Sequence, residues 1–355
     1  MRAWENYIRK VVPYVPGEQP QGKNIIKLNT NENPYPPSPA VAKALKEIEP
    51  EEFRKYSDPS ADMLVDALAD YYCLPKEQVF VGVGSDDVLG MAFLTFFNSS
   101  KPVLFPDVTY SFYPVWAKLY GISYETPKLD EAFQIRIEDY KRENGGIVIA
   151  NPNAPTGIYL PLEQIEEIVK ENQDVVVIID EAYIDFGGES ARSLIDKYEN
   201  LLVVQTFSKS RAMAGMRIGY AMGSKTLIKA LQDVKYSYNS YTMNMPSIIL
   251  GAEAVKDDGY FKDIVGRIVK VRETAKKKFA ELGFSGTDSQ TNFLFITHEK
   301  VPAAEIFEAL KRKQIYVRYF SAPRLDNYLR VTIGTEEDME VMYEFLNDYL
   351  KVAVL

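Results

Sequence analysis

Short apolar runs alternate with amphipathic segments through the first two thirds of the chain. The apolar runs predict buried strands at 25–28, 79–82, 102–105, 146–150, 175–179 and 201–207. Periodic apolar positions between them predict helices at 38–48, 62–72, 85–97, 110–120 and 162–172. Fully apolar strands interleaved with helices predict an α/β fold, a mostly parallel sheet covered on both faces.

The pattern changes near residue 245. A long helical stretch at 248–281 precedes strands at 291–296, 316–318 and 328–333 and helices at 303–313 and 336–350. This order is typical of a smaller α+β unit. We therefore predict an N-terminal arm at 1–25 that associates with this unit, a large domain at 26–245 and a small domain at 246–355.

Composition limits the possible partners and location. The 355 residues carry a net charge of −9, which argues against a nucleic-acid or anionic-membrane surface. The single cysteine rules out an intramolecular disulfide and fits a reducing compartment. No apolar run approaches the roughly 18 residues of a membrane span. We expect a cytoplasmic protein with no nucleic-acid or membrane partner.

The single histidine restricts the possible chemistry. His298 is expected in an exposed turn at the end of a strand, and Cys73 is interpreted as small core filler on a helix. One histidine argues against a Ser-His-Asp triad and against a histidine-rich metal centre, so we predict no metal site. An enzyme with this sequence must take its proton-transfer group from elsewhere, and a lysine is the obvious candidate.

Lys209 has the surroundings expected of a reactive amine. It follows the predicted strand at 201–207, next to Ser208, and Arg217 comes eight residues later. Asp180 ends the apolar run at 175–179, where a carboxylate costs free energy unless it is paired. A protonated pyridine nitrogen is a suitable partner for that carboxylate. The cluster indicates a site for a phosphorylated aromatic cofactor that bonds covalently to Lys209.

Two loops at predicted strand ends allow a functional and a simpler interpretation. The turn at 82–85 contains Gly84 before a helix and is either a phosphate cradle or an ordinary glycine turn. The loop at 151–157 is either a rigid connection or the place from which Asn153 donates a hydrogen bond to a cofactor oxygen.

These motifs, in this order, resemble the fold-type-I pyridoxal-phosphate enzymes of the aspartate aminotransferase superfamily, and most of all its histidinol-phosphate aminotransferase subfamily. Matching segments lie at 28–35, 84–86, 151–157, 180–183, 206–219 and 328–335. The resemblance implies a large domain with a mostly parallel seven-stranded sheet and a smaller α+β domain. It also implies pyridoxal 5'-phosphate as cofactor and a transaminase of histidine biosynthesis. The substrates would be histidinol phosphate and 2-oxoglutarate, with imidazole-acetol phosphate and glutamate as products.

The same resemblance implies roles around the cofactor. Lys209 forms the internal aldimine, Asp180 binds the pyridine nitrogen, Tyr183 and Asn153 contact the ring oxygen, and Tyr110 stacks on the ring. The residues implied to bind the cofactor phosphate are Ser85, Asp86, Ser208, Arg217 and, from the partner subunit of a homodimer with shared sites, Tyr56.

Substrate recognition is implied for four further residues, Tyr14, Asn29, Arg318 and Arg330. Arg330 would clamp a substrate carboxylate, and Arg318 or Arg324 would bind the distal phosphate of histidinol phosphate. The chain departs from the family pattern at 210–213, where Ser-Arg-Ala-Met replaces a small residue and a frequent Gly-Leu.

Other functions remain open from the sequence. A decarboxylase of a phosphorylated amino acid, such as threonine phosphate, would use the same cofactor. An aromatic amino acid aminotransferase would do so too. A non-catalytic scaffold with this fold is the third alternative, although every expected catalytic position is filled.

Overall fold

A seven-stranded sheet forms the larger part of the molecule in a computed structural model that describes residues 2–22 and 24–353. In chain order, the first eight strands are β1 (Ile26–Lys27), β2 (Val79–Gly82), β3 (Val103–Leu104), β4 (Tyr124–Glu125), β5 (Gly146–Ala150), β6 (Val177–Asp180), β7 (Leu201–Thr206) and β8 (Gly219–Gly223). The order across the sheet is β2-β8-β7-β6-β5-β3-β4. Strand β8 pairs antiparallel with β2 and β7, and the other six strands run in one direction.

Helices cover both faces of this sheet. They are α1 (Pro39–Glu47), α2 (Asp62–Tyr72), α3 (Ser85–Phe96), α4 (Tyr113–Tyr120), α5 (Leu162–Glu171), α6 (Lys225–Tyr238) and α7 (Met245–Lys256). Successive side chains of a strand point to opposite faces, so Ile178 packs with α3 and α4 while Ile179 packs with α2, α5 and α7. Burial on both faces explains why the strands are continuously apolar.

A second core forms around an antiparallel sheet of order β12-β13-β10-β9. Its elements are α8 (Asp258–Glu281), β9 (Phe284–Gly286), β10 (Phe293–His298), α9 (Ala303–Arg312), β11 (Ile315–Tyr316), β12 (Arg318–Tyr319), β13 (Leu329–Thr332) and α10 (Glu336–Ala353). Strand β11 pairs in parallel with β1, so the loop after β1 begins beside the smaller core and continues towards the larger sheet.

The domain boundaries at residues 25 and 245 stay a prediction. Two elements, α7 and β1, pack with the core on the other side of the predicted boundary. Helix α7 packs in the larger core through Ile248 and Val255, whereas β1 and Leu28 pack with the smaller core. The arm contacts both parts. Tyr14 stacks on Phe112 at the start of α4, and Glu18 pairs with Lys311 of α9.

Several elements differ from the sequence prediction. Strands β4, β8 and β9 and helix α6 were not predicted. The sequence of β8, Gly-Tyr-Ala-Met-Gly, carries no run of β-branched residues that would indicate a strand. The long helical stretch expected at 248–281 is helical but interrupted at Asp257. The structure has two helices, α7 and α8, and Asp257 between them caps α8 by accepting from the amide of Tyr260.

The expectations for His298 and Cys73 are wrong. His298 is only 6% exposed, and its Nδ1 accepts hydrogen bonds from the amides of Lys300 and Val301. Cys73 is exposed, because it follows α2 in a left-handed conformation with φ 54° and leaves the packed face of the helix. In the described part of the chain, no helix is long and apolar enough to cross a bilayer.

Candidate active site

A cavity of about 180 Å³ lies beyond the carboxyl ends of β5, β6 and β7, as expected for a parallel sheet. Segments that are far apart in sequence supply its walls because parallel strands end at the same sheet edge. The predicted site residues that line it are Ser85, Asp86, Tyr110, Asp180, Tyr183, Ser208, Lys209 and Arg217. Among residues 2–22 and 24–353, no group of His, Cys, Asp and Glu side chains is arranged so that it could hold a metal ion.

Asp180 forms one wall of this cavity at the end of β6. It is 4% exposed, and its Oδ2 accepts a hydrogen bond of 2.7 Å from the hydroxyl of Tyr113. Burial raises the pKa of Asp180 to about 6, and the hydrogen bond from Tyr113 opposes that rise. A carboxylate in this position is therefore stabilised by a cationic ligand. Sequence reasoning missed Tyr113, although a buried tyrosine hydroxyl generally needs a partner.

Lys209 reaches the same cavity from the loop after β7. Its Nζ donates to the carbonyl of Thr30 at 3.2 Å and lies 5.8 Å from the centre of the Tyr183 ring. The Tyr183 hydroxyl accepts from Nδ2 of Asn31 at 2.9 Å. Thr30 and Asn31 belong to the Asn- and Pro-rich loop after β1, so that loop forms a wall of the site. Neither contact was predicted.

The start of helix α3 forms one end of the cavity. Gly84 precedes the helix with φ 85°, and a Cβ added there would overlap the guanidinium of Arg217. The first amides of a helix have no intrahelical acceptor and favour anions. Asp86 accepts from the Tyr110 hydroxyl at 2.8 Å and lies 3.6 Å from an Arg217 nitrogen. Buried Ser208 accepts from the hydroxyl of Thr206 at 3.0 Å.

Two predicted cofactor contacts are not brought to this cavity. The side chain of Asn153 lies behind the wall, where Nδ2 donates to the carbonyl of Val108 and to Oγ1 of Thr156. Both amide hydrogens of Asn153 are thus engaged, and its neighbours Pro152 and Ala154 line the cavity. Tyr56 is 83% exposed, stacks on Tyr241 at 4.7 Å and lies outside the cavity.

A second cavity of about 250 Å³ shares Thr30, Tyr110, Tyr183 and Lys209 with the first. The predicted substrate residues that line it are Tyr14, Asn29, Arg318 and Arg330. Arg324 does not line it, because this side chain turns away to pair with Asp107 at 3.1 Å and to lie over the Phe133 ring. Of the two arginines considered for binding the distal phosphate, Arg318 lines this cavity and Arg324 does not.

Arg330 is held in a fixed orientation at this second cavity. One terminal nitrogen donates to the carbonyl of Asn29 at 3.1 Å, and the guanidinium lies over the rings of Phe293 and Phe320. Within the described residues, Nε of Arg330 and Oδ1 of Asn29 are buried without a partner. Buried unpaired polar atoms are costly, so both atoms indicate a polar ligand.

Comparison with known proteins assigns the family. The family described as Aminotransferase class I and II matches residues 23–346. A histidinol-phosphate aminotransferase of Clostridium botulinum (strain Langeland) is 51% identical over 96% of both chains. One of Lactococcus lactis subsp. cremoris is 49% identical over 98% of both chains. The chain belongs to the aminotransferase class I and II family, and within it to the histidinol-phosphate aminotransferases.

Solved structures agree at the level of the fold. The histidinol-phosphate aminotransferase of Sinorhizobium meliloti, in complex with pyridoxal-5'-phosphate, superposes with a TM-score of 0.83 at 23% identity over 93% of this chain and 91% of that one. The enzyme of Clostridium acetobutylicum gives 0.85 at 22% identity over 92% and 100%. The predicted family, the fold class, the aminotransferase activity and the pyridoxal-phosphate cofactor are confirmed.

Proposed function

We propose that this chain interconverts histidinol phosphate and 2-oxoglutarate with imidazole-acetol phosphate and glutamate. The observation that carries the proposal is the cavity in which Arg318 and Arg330 face the same space as Lys209. One substrate carries a phosphate and the other carries carboxylates, so two separate cations suit two anionic substrates that use one amine in turn.

The cavity at the sheet edge suits pyridoxal phosphate. Asp180 would pair with the ring nitrogen, Tyr110 would flank the ring, and the residues that would hold the phosphate are Ser85, Asp86, Ser208 and Arg217. The cofactor supplies an aldehyde that bonds to amines and a protonated ring that accepts electrons. A contact from Asn153 would first require its amide to leave Val108 or Thr156.

Lys209 is the group that would move the substrate proton. Its amine projects into the cavity between Thr30 and Tyr183, and a neutral amine accepts a proton from carbon. The single histidine cannot take this role, because His298 is buried beside Phe284 in the smaller core. Tyr183 would orient the reacting groups through its hydroxyl, which Asn31 already holds.

Arg330 and Arg318 would recognise different anions. The planar fork of Arg330 suits two oxygens of a carboxylate, and Nε, unpartnered among the described residues, is one of the donors that such a pair uses. Arg318 would bind the distal phosphate at the side of the cavity formed by Tyr14 and the arm. The amide oxygen of Asn29 would accept from a substrate N–H group.

A homodimer with shared active sites is the assembly that we propose. Tyr56 and Tyr241 stack on each other and form an exposed aromatic patch, and such patches mark protein contacts. Packing of this patch against a second copy would let Tyr56 reach the cofactor phosphate of its partner. We propose the cytoplasm as the location of the protein, because a single cysteine fits a reducing compartment.

A substrate screen with holoenzyme tests this function. Histidinol phosphate, threonine phosphate and phenylalanine are each offered with 2-oxoglutarate, and both glutamate and carbon dioxide are measured. We expect glutamate formation to be fastest with histidinol phosphate and to disappear in Lys209→Ala. Release of carbon dioxide from threonine phosphate would instead establish a decarboxylase. A faster reaction with phenylalanine would establish an aromatic aminotransferase.

A further inference from the structure

A hydrogen bond between Ser210 and Asp185 joins the two segments that carry Lys209 and Tyr183. Ser210 follows Lys209 directly, and Asp185 lies two residues after Tyr183 in the 3-10 helix Ile184–Phe186. Ser210 is 1% exposed, and its hydroxyl donates to Oδ2 of Asp185 at 2.5 Å. The loop after β7 is therefore tied to the loop after β6 immediately beside the reactive amine.

Further hydrogen bonds hold the lysine loop. Nδ2 of Asn33 donates to the carbonyls of Lys209 at 3.0 Å and Ser210 at 3.2 Å. The next side chain, Arg211, is buried, donates to the carbonyl of Ala254 at 2.7 Å and lies 4.2 Å from the centre of the Phe261 ring. These contacts fix the main chain at Lys209 and Ser210 and the side chain of Arg211.

We propose that Asp185, acting through Ser210, is a positioning residue for Lys209. Lysine has a long flexible side chain, so the place that its amine reaches depends on how firmly its main chain is fixed. The Asp185 carboxylate fixes that main chain relative to Tyr183 and to Asp180 at the end of β6. The proposal rests on the proposed function, in which Lys209 carries the cofactor.

The test compares holoenzymes of Ser210→Ala, Ser210→Thr and Asp185→Ala with wild type. The first measurement needs no substrate and is the pH midpoint of the change in visible absorbance of the bound cofactor. The second is kcat and KM for glutamate. Ser289→Ala is the matched control, because Ser289 is 0% exposed and donates to the carbonyl of Phe293 at 2.6 Å, at the start of β10 and outside the lysine loop.

We expect Ser210→Ala to shift the absorbance midpoint and to lower kcat about ten- to a hundredfold, with little change in KM. Ser210→Thr, which keeps the hydroxyl, should restore both values. Asp185→Ala should match Ser210→Ala, and the double variant should be no worse, because both remove one interaction.

The proposal is overturned if Ser210→Ala lowers only the melting temperature, as Ser289→Ala should, and leaves the midpoint and kcat unchanged. If Ser210→Ala does not fold, Asp185→Asn with a wild-type midpoint and kcat overturns it equally. Failure of the wild type to bind pyridoxal phosphate would contradict the proposed function instead, so the two failures are distinguishable.

Discussion

Tyr113 donates its hydroxyl hydrogen to Oδ2 of Asp180 at 2.7 Å, and both side chains are buried. Tyr113 begins helix α4 and Asp180 ends strand β6, so this bond joins two elements beneath the floor of the cavity. The bond lowers the pKa of Asp180 while burial raises it to about 6. Tyr113 therefore keeps the carboxylate closer to the charged form that a protonated ring nitrogen requires.

Replacement of Tyr113 by phenylalanine should weaken cofactor binding. Without the hydrogen bond, burial raises the pKa of Asp180 further, and less carboxylate is charged at pH 7. A hydrogen bond to a charged group contributes roughly 1.5–3 kcal/mol, so the dissociation constant of pyridoxal phosphate should rise about tenfold or more. Equilibrium titration of the apoprotein with pyridoxal phosphate, followed by absorbance, measures this dissociation constant.

Tyr140→Phe is the matched control for this experiment. Tyr140 is also buried, but within the described residues its hydroxyl has no partner. Its removal should leave cofactor affinity unchanged. Equal losses in Tyr113→Phe and Tyr140→Phe would contradict a role for the bond to Asp180.

The free energy of unfolding of the cofactor-free protein should depend on Asp180 and on pH. Burial raises the pKa of this carboxyl from 3.8 to about 6, so the folded protein binds the proton more tightly than the unfolded chain. Its contribution to stability is complete below pH 4 and is lost as the pH rises through 6. The loss amounts to about 2–3 kcal/mol.

Asp180→Asn removes this titration. The variant should therefore gain stability relative to the wild type between pH 4 and 6, while its affinity for pyridoxal phosphate falls. Thermal unfolding of both apoproteins from pH 4 to 8 measures the difference, and the contributions of other carboxyls cancel in it. A difference that stays constant over this range would contradict the assigned pKa shift.

The site could be predicted in outline because its main residues follow strands. Asp180 and Lys209 come directly after apolar runs, and parallel strands that end at one sheet edge bring such residues together. The same logic placed Ser85 at the start of α3 after β2. For these residues, the local pattern and the rule for parallel sheets were sufficient.

The remaining contacts depend on pairings between distant segments, and local patterns do not encode them. Tyr113 meets Asp180 across 67 residues, and Asn31 meets Tyr183 across 152. Asn153 is the opposite case, a residue that was predicted for the cofactor site but is not part of it. Its side-chain amide donates to the carbonyl of Val108 and to Oγ1 of Thr156. Buried polar groups need hydrogen-bond partners, and the folded structure, not closeness in sequence, determines which partners are available.

Gly219 should be required for the phosphate end of the cofactor site. A Cβ added to Gly219 on β8 would overlap the peptide between Gly84 and Ser85, which are backbone atoms that cannot rotate away. Gly219→Ala should therefore displace the start of α3 and raise the dissociation constant of pyridoxal phosphate severalfold. The same titration in Gly215→Ala should give the wild-type value, because a Cβ at Gly215 meets nothing within 4 Å.

Mixed dimers can test whether Tyr56 serves the partner's site. Tyr56→Phe removes the hydroxyl and keeps the ring that stacks on Tyr241, so the surface should stay intact. In a heterodimer of Tyr56→Phe and Lys209→Ala, one site would contain Lys209 together with the unchanged Tyr56 of the other subunit.

We therefore expect this heterodimer to recover about half the activity of the wild-type dimer, whereas Lys209→Ala alone is inactive and Tyr56→Phe binds cofactor weakly. Differently tagged subunits, co-expressed and purified in sequence, provide the material. If Tyr56 acts within its own subunit, the heterodimer will show no recovery.

The two cavity arginines should separate the two substrates. Arg330→Lys keeps the charge but loses the fork that suits a carboxylate, so KM for glutamate should rise roughly ten- to a hundredfold. Arg318→Ala should raise KM for histidinol phosphate by a similar factor and change that for glutamate little. Arg324→Ala is the control and should alter neither value, because Arg324 pairs with Asp107 outside the cavity. Steady-state kinetics with each substrate varied in turn measures these constants. An equal rise for both substrates in Arg318→Ala would contradict separate anion sites.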